Sequence, residues 1–147
     1  MATQNGTTPK NILTVSLAEH LTGEPIAEVI AKDWKKVNAT TARNFTNIGF
    51  DVDFENFDHT IEDLRASLHE RKWDGVLIGW CLRGKPSHTR MFERVVGVCF
   101  DELDSARTKV MFCTGPDDLV TTVQRNFPRG APETEKKIRT PDPTPEK

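Results

Sequence analysis

Short β-forming runs alternate with amphipathic helical stretches along most of this chain. Asn11-Ile12-Leu13-Thr14-Val15-Ser16-Leu17 is short and rich in β-formers, so it predicts a first strand. Ala18 to Glu24 reads as a loop. From Pro25, suited to a first helical turn, Ile26, Val29, Ile30, Trp34 and Val37 recur at helical spacing and predict a helix to about Asn44. Phe50-Asp51-Val52-Asp53-Phe54-Glu55 alternates apolar and acidic residues, the pattern of a strand with one wet face at a sheet edge. Thr60 then reads as a helix cap, with Ile61, Leu64 and Leu68 as the buried stripe and His69, Arg71 and Lys72 at the carboxyl end, where cations are favoured. The run Val76-Leu77-Ile78, apolar on both faces, predicts the central strand. Pro86-Ser87 opens a helix with Met91, Phe92, Val95, Val96, Cys99 and Leu103 on its apolar face. Lys109 to Cys113 reads as a fourth strand, and Thr114-Gly115-Pro116-Asp117-Asp118 starts a last helix packed by Leu119, Val120, Val123 and Phe127.

Four strands alternating with four helices predict a single three-layer α/β domain over residues 11–127, with a parallel sheet and helices on both faces. With the acidic strand at an edge, the strand order is 2-1-3-4. The chain reverses its winding direction between the first and third strands, and open α/β sheets bind ligands outside the carboxyl ends of the strands at such a reversal. Residues 1–10 read as a flexible N-terminus. Residues 128–147 hold five of the nine prolines among charged residues, with Ile138 the only large apolar one, so they read as a disordered tail. Thr140-Pro141 and Thr144-Pro145 fit proline-directed phosphorylation.

Composition narrows the partners. A formal charge of -2 over 147 residues argues against nucleic acid or an anionic membrane held by charge alone, although a local basic patch is compatible with it. No apolar run is long enough to span a bilayer, and residues 1–10 lack the character of a secretory signal, so a cytoplasmic protein is expected. Cys81, Cys99 and Cys113 contain no C-x-x-C pair; Cys99 and Cys113 read as small core residues, and Cys81, near Arg83, as the one candidate for a reactive thiolate. His20, His59 and His88 each follow a strand, but no paired ligand spacing supports a metal site. No glycine-rich dinucleotide or triphosphate fingerprint and no G-x-S-x-G elbow occurs, and neither cofactor nor metal is expected.

The two loops at the reversal, Ser16 to Glu24 and Trp80 to His88, hold the candidate chemistry. Ser16 and Thr22 come from the first; Trp80, Arg83 and Lys85 come from the second, and Thr114 and Asp117 from the loop after the fourth strand. All seven are candidate ligand-binding residues, with His20 and His88 as candidate catalytic acid or base. Arg83 and Lys85, followed by Arg90 and Arg94, make the most cationic segment of the folded region, so the natural guest is an anionic small molecule.

Asp74-Gly75-Val76-Leu77-Ile78-Gly79 with Arg83, then Phe92-Glu93-Arg94-Val95-Val96 and Thr114-Gly115-Pro116-Asp117, resembles a group of small uncharacterised fungal and bacterial α/β proteins of flavodoxin-like, Rossmann-like layout. The resemblance covers residues 73–127 and implies the fold and an interest in Arg83, but no activity. A phosphoacceptor receiver has similar topology yet wants an acidic pair after the first strand and an Asp ending the third, where this chain has only Glu19 and then Trp80-Cys81. Two functions remain open. One is a binding domain or small enzyme acting on an anionic metabolite. The other is a non-catalytic, receiver-like interaction module, with a homodimer through a helix face allowed and the acidic edge strand opposing open sheet pairing.

Overall fold

A computed structural model describes residues 8–128. The sheet has four parallel strands in the order β2-β1-β3-β4, with β1 at Lys10–Ser16, β2 at Phe45–Asp51, β3 at Gly75–Ile78 and β4 at Lys109–Phe112. In register, Leu13 lies beside Ile48 on one side and Val76 on the other, and Val76 beside Val110. The helices are α1 (Ala18–Thr22), α2 (Ile26–Trp34), α3 (Ala39–Ala42), α4 (Phe57–Leu68), α5 (Thr89–Glu102) and α6 (Leu119–Asn126).

Alternation along the strands divides the core into two layers, because successive side chains point to opposite faces. Leu13, Val15, Val76 and Ile78 pack with Ile61, Leu64, Leu68, Val95 and Cys99 of α4 and α5. Ile12, Leu77 and Met111 pack with Ile26, Ile30 and Trp34 of α2 and with Leu119, Val120 and Val123 of α6. The domain is therefore a three-layer α/β unit of the flavodoxin and Rossmann type, as its sequence predicts. No helix among the described residues is long and apolar enough to cross a membrane. The expectations for the tail and for most of the N-terminus fall on residues outside those described, although Lys10 already belongs to β1.

Local boundaries differ from the sequence reading in ways that side-chain capping explains. The edge strand is Phe45–Asp51 rather than Phe50 to Glu55. Beyond Asp51, the Asp53 carboxylate accepts from the N–H groups of Glu55 and Asn56 and turns the chain into a 3-10 turn, Phe54–Asn56, so α4 begins at Phe57. Thr60 is consequently a buried helical residue whose hydroxyl oxygen accepts from Asp53 N at 2.8 Å, not a cap. The helix expected from Pro25 to Asn44 stops at Trp34, and Asn38 caps the separate α3 by accepting from Thr41 N at 2.8 Å. The expected first loop contains α1, which Gly23 ends at φ 83°, a left-handed conformation that glycine adopts without penalty.

Candidate functional site

The carboxyl ends of β1, β3 and β4 surround a cleft of about 440 Å³, at the point where the strand order reverses. Its base is set by local hydrogen bonds. Ser16, 2% exposed, ends β1 and accepts at its hydroxyl from Ala18 N at 2.9 Å, which turns the chain into α1. Cys81 Sγ accepts from Leu17 N at 3.2 Å and lies 3.3 Å from Ser16 Oγ, joining the β3 loop to the end of β1. Gly79 donates to Val15 O at 2.8 Å, and the chain then makes a 3-10 turn, Trp80–Leu82. Gly84 lies against the Trp80 indole so closely that a Cβ there would be 2.8 Å from Nε1.

Ser16, Thr22, Trp80, Lys85 and Asp117 all line this cleft, together with Cys81. Thus five of the residues chosen from sequence come together. Its walls are largely apolar, from Leu21, Ile26, Val29 and Leu119. These four carry no chemical signature in the sequence, where helical periodicity marks Ile26, Val29 and Leu119 only as core. The charged lining residues are Lys85, Asp117 and Glu24, and Glu24 pairs with Lys32.

The other candidates lie elsewhere. Arg83 donates from Nη2 to the Cys113 carbonyl at 2.7 Å and holds its guanidinium 4.8 Å from the Trp80 ring centre. It ties the β3 loop to the end of β4 and supports the Trp80 ring. Thr114 donates from N and Oγ1 to Asp118 Oδ2, each at 2.7 Å, and Thr122 Oγ1 donates to the same oxygen at 3.0 Å. Burial raises the Asp118 carboxyl, but these hydrogen bonds outweigh it and hold the group below its ordinary value. His88 is 7% exposed and donates from Nδ1 to Cys81 O at 3.0 Å. His20 stacks on Phe54 with ring centres 4.5 Å apart, and Phe54 in turn lies 6.1 Å from His88. The two histidines sit beside the starts of α4 and α5 and are absent from the cleft lining. Arg94 pairs with Asp58 at 2.7 Å.

Burial pushes the Cys113 thiol up to about 11 and the Cys99 thiol up to about 12, so neither is a thiolate near neutrality. Among the described residues no group of three or more His, Cys, Asp or Glu side chains is placed to hold a metal ion. The site is thus an apolar hollow with a hydroxyl and a thiol at its base and opposite charges from the β3 and β4 loops. Comparison of the chain with protein-family models, curated proteins and solved structures finds no match.

Proposed function

We propose that this domain binds a small molecule with an apolar body and one anionic group in the carboxyl-end cleft. The observation that carries the reading is the position of that cleft: an apolar hollow of about 440 Å³ at the reversal point of a parallel sheet. Among the described residues Lys85 is its only cationic lining residue, and Trp80, backed by Arg83, offers a flat wall. Asp117 opposes a polyanion, while Glu24 is paired with Lys32, so a single carboxylate or phosphate monoester fits better than a nucleoside polyphosphate. Acid–base catalysis by His20 or His88 is not part of this reading, because both rings lie outside the lining.

The test is a thermal-shift screen of aromatic and aliphatic carboxylates, phosphate monoesters and FMN. A native-state binder at a hundred times its Kd stabilises by about 2.7 kcal/mol. Lys85→Ala should cut the shift given by any anionic hit and spare that given by its neutral analogue. Equal stabilisation of the variant and the parent by the anionic hit would overturn the reading.

A helix-face interaction module is favoured by one observation, Phe100 on α5, which is 65% exposed beside a hollow of about 280 Å³ lined by Leu103 and Val110. Light scattering tests it: a strict monomer over the whole concentration range removes the dimer.

A further inference from the structure

A parallel sheet gathers the amino ends of its strands at one end of the molecule, and here every strand is opened or preceded by a cation. Lys10 opens β1, Arg43 precedes β2, Arg71 and Lys72 precede β3, and Arg107 precedes β4. Arg71 and Lys72 also follow α4, where they complement the negative end of its dipole. That accounts for their sign but not for Arg107, which arrives from the α5–β4 loop. Arg71, Lys72 and Arg107 line one cleft of about 400 Å³, which includes Trp73 and Leu103.

The loop presenting Arg71 and Lys72 is held rigidly. Asn11 Nδ2 donates to Lys72 O at 3.1 Å, Asp74 N donates to Asn11 O at 2.9 Å, and Asn11 N donates to Asp74 Oδ2 at 2.7 Å. Trp73 Nε1 donates to Ser67 O at 3.1 Å, and Thr108 Oγ1 donates to Trp73 O at 2.6 Å. The acids of the cleft are engaged as well. Asp74 accepts from Asn11 N, Glu102 pairs with Arg65 and His69, and Asp104 accepts from Ala106 N while reaching Arg107 Nε only at 3.7 Å. Among the described residues, Arg71 and Lys72 form no ion pair, and the Arg71 guanidinium, which makes no side-chain hydrogen bond to them, lies 5.3 Å from the Trp73 ring centre.

We propose that this amino-end cleft is a second binding site, for a phosphate group held between the guanidinium groups of Arg71 and Arg107 and the ammonium of Lys72. Two planar forks and a point charge match the oxygens of a phosphate, and the rigid loop lowers the cost of ordering them. The phosphate has two sources, a small phosphorylated molecule or a phosphothreonine of the chain itself. Phe127, next to the last described residue, has its ring beside Lys10 and Lys109 at this same end. A dozen or so residues separate Pro128 from Thr140, an extended length of at most roughly 40 Å.

The experiment is titration of the full chain, followed by the indole N–H resonances in NMR, with inorganic pyrophosphate and with a synthetic peptide of residues 136–147 phosphorylated at Thr140. Movement of the Trp73 indole while that of Trp80 stays fixed supports the site, and the tighter of the two probes identifies the source. Arg107→Ala and Arg71→Ala should each weaken binding about tenfold, the value of one charged hydrogen bond. Absence of any Trp73 shift with both probes, equal binding of the unphosphorylated peptide, or unchanged affinity in both variants would each overturn the proposal.

Discussion

Asp33 shows how much a single side chain decides here. It is buried in α2, pairs with Lys36, and accepts through Oδ2 from Val120 N at 2.9 Å, so it caps α6 from another helix. Asp33→Ala leaves a buried N–H without its acceptor and should cost about 2 kcal/mol, read as a lower urea midpoint. Arg83 carries a related lesson. From sequence it is the leading anion-binding residue; in the structure its guanidinium is spent on Cys113 O and the Trp80 ring. Arg83→Ala should therefore lower the melting temperature without ligand, by about 2 kcal/mol of stability. An unchanged melting temperature would return Arg83 to the pool of groups available to a ligand. Nothing in the linear order of Trp80-Cys81-Leu82-Arg83 reveals which way the arginine turns, because that depends on the Cys113 carbonyl, just past β4 and thirty residues away.

Between elements, the α4–α5 contact adds a polar clamp to its apolar seam. Glu102 of α5 accepts from Arg65 of α4 and meets His69, just beyond α4, at 2.6 Å. His69 first and Arg65 next hold the Glu102 carboxyl below its ordinary value. A carboxyl lowered in the folded state contributes stability above its unfolded pKa, and that contribution is lost as pH falls through the folded value. Acid titration of stability should therefore show a loss below about pH 4.3 that is smaller in Glu102→Gln. Identical acid profiles for variant and parent would refute the clamp. At this scale the sequence is informative about type and weak about limits. The apolar stripes of α4, α5 and α6 were legible from their spacing. The ends were not, because Asp53, Asn38 and Asp118 bond to nearby backbone or hydroxyl groups, and such local bonds do not alter hydrophobic periodicity.

Across the whole molecule, one sheet joins two apolar layers, and neither layer can be lost without exposing a face of the same four strands. Leu64→Ala in the α4–α5 layer should cost about 3 kcal/mol, and Val123→Ala in the α6 layer should also destabilise. Both should shift one common unfolding transition, with near-additive effects in the double variant, since they share no contact across the sheet. Two separate transitions by circular dichroism and tryptophan fluorescence would show that the layers unfold independently. The same architecture separates the two clefts by end: the carboxyl end holds the apolar cleft at the strand reversal, and the amino end collects the cations that open the strands.

The sequence by itself determined the α/β class, the strand count, the order 2-1-3-4 and the crevice, because these follow from apolar periodicity and the rules of parallel sheets. It also placed Ser16, Thr22, Trp80, Lys85 and Asp117 in loops that converge on that crevice. Only the tertiary structure decided that His20 and His88 lie outside the cleft, that Arg83 is turned to a backbone carbonyl, and that Leu21, Ile26, Val29 and Leu119 wall it. It alone brings Arg107 to Arg71 and Lys72. The reason is physical: periodicity assigns a residue to a face or an end, whereas the direction of a polar side chain is set by hydrogen-bond partners that only folding brings within reach.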